Sequence, residues 1–170
     1  EAVQTDDLPV PVAIDLPLDM YIPSDYVEHE SSRLALYQRI AGVGQLSELE
    51  ELDDELRDRF GPLPRPVENL LLFVRVKVLA TQAGLAGVAL DGQTLTVRAR
   101  EGTVFDRIGL YRRFGMEAKV IQGVLRVPRA RLGQDWPGVL LAVLQETVAA
   151  NRPRSTPQDS PAAVTSARVS

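Results

Sequence analysis

The chain of 170 residues contains no cysteine and a single histidine, His29. Those absences remove a disulfide framework, a thiolate nucleophile, Cys-ligated zinc or iron–sulfur sites and any histidine cluster for a metal. Lysine is nearly as scarce, because 17 of the 19 basic residues are arginine and only Lys77 and Lys119 remain. Neither lysine follows a glycine, so the phosphate loop G-x-x-x-x-G-K-[ST] is missing, and no G-x-S-x-G elbow or G-x-G-x-x-G turn occurs. The chain alone is therefore not expected to be an enzyme or to hydrolyse ATP, and no small-molecule substrate is implied. No apolar run approaches the roughly 20 residues that span a bilayer, and the start has neither a basic n-region nor an apolar h-region. The sequence is read as a segment of a longer cytoplasmic protein with no membrane partner.

The chain does have the means for one sizeable core, with 45% apolar and 25% charged residues. Its net charge of −4 conceals a strong asymmetry. Residues 1 to 61 carry 15 acids against 4 bases, a balance of −11, whereas residues 62 to 170 carry 8 acids against 15 bases, a balance of +7. Such a distribution predicts either two solvated faces that attract each other or separate surfaces for a basic and an acidic partner.

Residues 1–10 read as an acidic interdomain linker, residues 11–151 as the domain and residues 152–170 as a disordered tail without periodicity. Ile14, Leu16 and Leu18 alternate with Asp15 and Asp19, which predicts an extended arm ending at Pro23. Leu36, Ile40 and Val43, with Leu34, Tyr37 and Ala41 beside them, predict a helix from about Glu28 to Val43, stopped by Gly42 and Gly44. A second helix is marked by a capping box of Ser47 and Glu50 and by the stop Gly61, Pro62. Its Leu46, Leu49, Leu52, Leu56 and Phe60 fall in one 120° sector at about 100° per residue, so that sector is buried. Glu48, Glu51, Glu55 and Asp58 fall in a separate sector and predict an outward acidic stripe about 15 Å long. Asp53 lies near the edge of the apolar sector.

Pro66 suits a helix start, and Val67 to Ala83 is apolar almost all round, which predicts a central helix ended by Gly84. Asp91-Gly92 predicts a type I′ hairpin between Val88 to Leu90 and Gln93 to Ala99. Residues 103–114 predict a short helix with Val104, Ile108, Tyr111 and Phe114 inward, and Ala118 to Val127 a second hairpin turning at Gln122-Gly123. A last helix runs from near Asp135 to Asn151. The expected fold is α+β: an N-terminal extended arm and three helices, then β-hairpins with a short helix between them and a C-terminal helix.

Ten carboxylates between Asp25 and Asp58 raise the possibility of a metal, but a straight helix splays its carboxylates instead of converging them on a cation. A solvated face or an arginine-docking surface suits them better. The counterpart is basic: Arg98, Arg100, Arg107, Arg112, Arg113, Lys119, Arg126, Arg129 and Arg131 outnumber Glu101, Asp106 and Glu117. Arg107, Arg112 and Arg113 are the candidate nucleic-acid contacts within this stretch, although Phe105, Tyr111 and Phe114 have the helical spacing of core residues rather than of a stacking platform.

Three motifs in sequence carry a resemblance. They are Ile14-Asp15-Leu16-Pro17-Leu18-Asp19-Met20-Tyr21-Ile22-Pro23, then Leu36-Tyr37-Gln38-Arg39-Ile40, then Glu50-Glu51-Leu52 with Asp54-Glu55-Leu56 and Asp58-Arg59-Phe60-Gly61. Their order and spacing resemble the C-terminal domain of the bacterial transcription-repair coupling factors (Mfd), over about residues 12 to 85. The resemblance implies a multidomain ATP-driven DNA translocase that displaces stalled RNA polymerase and recruits the damage sensor UvrA in nucleotide-excision repair. Its ATP and magnesium belong to motor domains outside this chain, which itself holds no cofactor. For the C-terminal domain it implies a regulatory, autoinhibitory role: docking on the UvrB-homology module of the same protein, covering the UvrA-binding surface in competition with UvrA, and restraining the motor. RNA polymerase and DNA are reached through the parent. The family's docking Glu and Asp, three residues apart, fall on Glu55 and Asp58, and both are expected to meet arginines of the UvrB-homology module. Arg59, Glu51 and Glu48 flank them on the same helix, and Arg57 stands where the family often has an apolar residue. An adaptor for a separate protein and a DNA-contacting module using Arg98 to Arg131 are the alternatives.

Overall fold

The alternation in the arm produces a strand. In the computed structural model, which describes residues 10–153, β1 (Ala13–Asp15) turns Ile14 toward the core while Val12 and Leu16 beside it are buried. Most of the expected linker and tail lies outside the described residues. Beyond the bend at Pro17, Ile22 and Val27 are buried under α1 (Glu30–Ala41) and α2 (Leu46–Phe60). Next come α3 (Arg65–Ala83), β2 (Leu85–Leu90) and β3 (Thr94–Ala99), then α4 (Arg107–Phe114), β4 (Lys119–Ile121), β5 (Val124–Pro128) and α5 (Trp136–Ala150). The α+β expectation and its element order hold.

The strands form one sheet in the order β1-β2-β3-β5-β4, with β1 parallel to β2 and the other pairs antiparallel. Leu85, Val88 and Leu90 of β2, Leu95 and Val97 of β3, and Leu125 and Val127 of β5 all point to the face covered by α3 and α5. The opposite face carries no helix among the described residues. α3 is shared between two cores: Val76, Leu79, Ala80 and Ala83 pack on the sheet side, whereas Val67, Leu71, Val74 and Val78 pack against α1 and α2. This explains why its sequence is apolar almost all round.

Several local expectations are corrected. Ser47 and Glu50 do not box the start of α2; Gln45 is the N-cap residue and caps nothing with its side chain, while Glu48 reaches back to accept from the Gly44 N–H at 3.1 Å. The Asp91-Gly92 turn is not type I′, which needs φ above zero at both central residues. Neither residue has positive φ; instead the Asp91 Oδ1 accepts from the N–H groups of Gln93 (2.7 Å) and Thr94 (2.8 Å). Those two bonds hold the Asp91 carboxyl below the ordinary carboxylate range. Gln122-Gly123 does adopt the expected turn, with φ of 51° and 74°. Pro66 is the second residue of α3, which begins at Arg65, and Leu34 of α1 is exposed.

The largest correction concerns α4. Phe105 and Phe114 are buried as expected, but Val104, Ile108 and Tyr111 are exposed, and Leu110 enters the core instead. The helix begins only at Arg107, capped by Asp106, whose Oδ1 accepts from the Gly109 N–H at 3.0 Å. That start leaves Val104 and Phe105 outside the helix, whose buried residues are Leu110 and Phe114.

A candidate docking surface on the second helix

α2 is fixed by its inner face. Leu49, Leu52 and Leu56 are each 1% exposed, and burial of this kind is worth about 1.5 to 3 kcal/mol per side chain. Its C-terminal end is held by Tyr26, whose hydroxyl donates at the carbonyls of Leu56 (3.2 Å) and Gly61 (3.0 Å) and whose ring tilts against Phe60 with centroids 5.7 Å apart. Burial raises the Tyr26 hydroxyl above its ordinary pKa, opposed by Arg57 nearby.

With the inner face anchored, the carboxylates of α2 separate into two groups. Glu55 is tied down within the domain: its Oε2 accepts from Arg39 Nη1 of α1 at 2.6 Å and its Oε1 from Arg59 Nη1 at 3.1 Å. These two hydrogen bonds hold its carboxyl below the ordinary range. Asp53, at the sector edge, pairs with Arg57 at 2.5 Å one turn on. Glu48 serves the Gly44 N–H, as described. Arg59 also lies 4.9 Å from the Phe60 ring centroid, so it bridges Glu55 and an aromatic face instead of standing free.

The second group is open. Glu50, Glu51, Asp54 and Asp58 are exposed, and none of them has an ion-pair partner among the described residues. At 100° per residue Asp54 lies between Glu50 and Asp58, opposite the Leu49, Leu52, Leu56 stripe. The outward stripe expected of Glu48, Glu51, Glu55 and Asp58 is thus corrected: Glu48 and Glu55 are engaged within the domain, and the open carboxylates include Asp54. A shallow groove of about 290 Å³ borders it, lined by Arg39, Gly42, Val43, Glu48, Glu51 and Leu52. A larger cavity, about 580 Å³, lies elsewhere, between the arm and the N-termini of α3 and α5.

The structure also sorts the basic stretch. Arg113 pairs with Glu146 and Arg131 with Glu117; Arg100 donates to the carbonyls of Leu85 and Val10, and Arg129 to that of Asp91. Arg98, Arg107, Arg112, Lys119 and Arg126 have no such partner among the described residues. Of the candidate nucleic-acid contacts, Arg107 and Arg112 are therefore open and Arg113 is engaged.

A family model described as the TRCF domain matches residues 16–110, which takes in the arm after β1, α1 to α3, β2, β3 and the start of α4. The chain belongs to the TRCF domain family. Its relatives include the transcription-repair-coupling factors of Mycobacterium bovis and Mycobacterium tuberculosis, each 32% identical over 136 residues, covering 78% of this chain and 11% of the relative. The factor of Bacillus subtilis is 31% identical over 150 residues, covering 78% of the chain and 12% of the relative. The TRCF domain chain thus spans about a tenth of the length of the curated relatives it matches. Among solved structures, the crystal structure of a C-terminal domain of transcription-repair coupling factor superposes with a TM-score of 0.67 at 21% identity, covering 82% of this chain and 92% of that one. The TRCF domain fold accordingly extends past the matched residues to β4, β5 and α5. Among the described residues no helix is long and apolar enough to cross a membrane.

Proposed function

We propose that this TRCF domain is the regulatory C-terminal domain of an ATP-dependent DNA translocase of nucleotide-excision repair. In this reading it docks on the UvrB-homology module of its own protein through the outer face of α2, masks the UvrA-binding surface and restrains the motor until RNA polymerase is engaged. The observation that supports the reading is the open carboxylate row Glu51, Asp54 and Asp58 on a helix whose other face is locked into the core. Carboxylates one turn apart can each accept a guanidinium fork. Asp58 is the open member of the carried-over pair. Glu55 would meet a partner arginine only by sharing its carboxylate with Arg39 and Arg59, so its first role is to fix α1 against α2.

A tethered domain sees its partner surface at about millimolar effective concentration, so the contact need not be strong. Holding the open form near 1% takes about 2.7 kcal/mol, within reach of one or two close interfacial charge pairs, at roughly 1.5 to 7 kcal/mol each. The test is UvrA binding by the intact parent, comparing wild type, deletion of this domain, Asp54→Lys with Asp58→Lys, and Glu55→Lys with Asp58→Lys. Masking through α2 is upheld if deletion and the Asp54, Asp58 reversal both raise binding. It fails if deletion leaves binding unchanged. If deletion raises binding and the reversals do not, the domain masks through another face and the docking residues assigned above are wrong.

A further inference from the structure

Among the described residues the outer edge of β4 is a free strand edge with a cavity on each side. β4 closes the strand order, so no strand pairs with its outer edge among the described residues. Successive residues of a strand point to opposite faces. Lys119 and Ile121 point to the uncovered face, where Lys119 stands opposite Arg126 and Ile121 opposite Val124. They line a cavity of about 290 Å³ with Gln122. Val120 points the other way, toward α4, into a second cavity of about 290 Å³ shared with Arg107, Leu110, Tyr111 and Met116. Five of the eight large apolar residues exposed among the described residues, Val104, Ile108, Tyr111, Met116 and Ile121, belong to the short stretch from the segment just before α4 to β4.

We infer that β4 is a docking edge for an extended protein segment in which acidic and apolar residues alternate. Pairing with β4 would send the segment's successive side chains to the two cavities in turn. One side offers Lys119 and Arg126, neither ion-paired among the described residues, beside Ile121 and Val124, and with two cations it favours carboxylates. The other offers Tyr111, Met116, Leu110 and Val120 beside a single cation, Arg107, and therefore favours apolar side chains. Backbone bonds give such strand addition its affinity, and alternate pockets give it specificity. β4 has only three residues, so few backbone bonds are available and the pockets must carry much of the discrimination. A nucleic acid fits less well, since its phosphates would engage Lys119, Arg126 and Arg107 and leave Leu110, Met116 and Val120 without apolar partners. This edge lies on the sheet half of the domain and does not rest on the α2 docking proposed above.

The test uses the ¹⁵N-labelled 170-residue chain and a synthetic hexapeptide alternating glutamate and valine. Controls are the same composition in two blocks, the alternating peptide with N-methylated backbone at every second residue, and a 20-base-pair duplex DNA. The expected result is amide shift changes confined to β4, the Gln122-Gly123 turn and α4, weakened at least tenfold by blocking the pattern or by N-methylation. Lys119→Glu with Arg126→Glu should weaken binding about tenfold, as should Tyr111→Ala with Met116→Ala. All four positions are exposed or unpaired, so circular dichroism and melting should stay as in wild type. The inference is overturned if no shifts appear at millimolar peptide, if the block or N-methylated peptide binds equally, if the duplex binds this face more tightly, or if sedimentation shows β4 covered by a second copy.

Discussion

Replacing Tyr26 by Phe should loosen the C-terminal end of α2 without disturbing its core. The variant keeps the ring against Phe60 and removes the hydroxyl that donates at Leu56 and Gly61. A hydrogen bond of this kind contributes about 0.5 to 1.5 kcal/mol net, and for a domain of this size about 1 kcal/mol shifts the melting temperature by roughly 2 to 4 °C. Tyr26→Ala also loses the ring; aromatic-to-alanine changes in a full core cost about 3 to 5 kcal/mol, and the half-buried Tyr26 should cost less than that but more than Tyr26→Phe. Urea denaturation of the three proteins separates the hydroxyl from the ring. An alkaline signature accompanies it. Because burial raises the folded-state pKa above the ordinary 10.0, the unfolded chain ionises first as pH rises. The contribution is fully present below pH 10 and declines above it, and Tyr26→Phe should lack that component. The reasoning is refuted if Tyr26→Phe matches wild type, if it costs more than about 3 kcal/mol, or if the alkaline component survives unchanged.

Three further outcomes follow from the packing and the ion pairs. Leu110→Ala should cost about 2 to 5 kcal/mol in denaturant unfolding whereas Ile108→Ala should stay within about 0.5 kcal/mol, and the reverse order would mean that α4 turns its other face inward. Gly84→Ala should lower the melting temperature measurably, by roughly 1 to 2 kcal/mol of left-handed backbone strain, since Gly84 has φ of 76° and an added Cβ would come within 2.4 Å of the Thr103 Oγ1. Glu55→Gln should flatten the acid limb of the stability profile: the Glu55 carboxyl is lowered from 4.5 by Arg39 and Arg59, so its contribution is present above that value and lost as pH falls through the lower folded one. An acid limb identical to that of wild type would show that the Arg39 and Arg59 contacts do not persist in solution.

The elements were legible where one periodicity and one stop signal agreed. The leucines of α2 and the Gly61 stop gave its span, and the all-round apolar pattern of α3 announced a helix with two buried sides. The inward face of α4 is not legible, because Val104, Ile108, Tyr111 and Phe114 share helical spacing as well as Leu110 and Phe114 do, and only the packing of Leu110 into the core distinguishes them. The acidic character of α2 was legible, but not which carboxylates are free. Arg39 lies on another helix, sixteen residues from Glu55, and no spacing rule within α2 foretells that contact. The arginines from Arg98 to Arg131 read as one patch because a linear count cannot see that Arg113 meets α5 or that Arg98 and Arg126 sit on a sheet face.

Because α3 is the common wall of both cores, the domain has no internal seam. A boundary drawn at Gly84 would set Val76, Leu79, Ala80 and Ala83 in water on one piece and strip Leu85, Val88 and Leu90 of their cover on the other. Neither piece could be grafted, swapped or truncated away alone. Amides in the middle of α3 should then exchange with solvent only on global opening, together with those of β3, so the helical half that bears the carboxylates and the sheet half that bears β4 stand or melt as one unit.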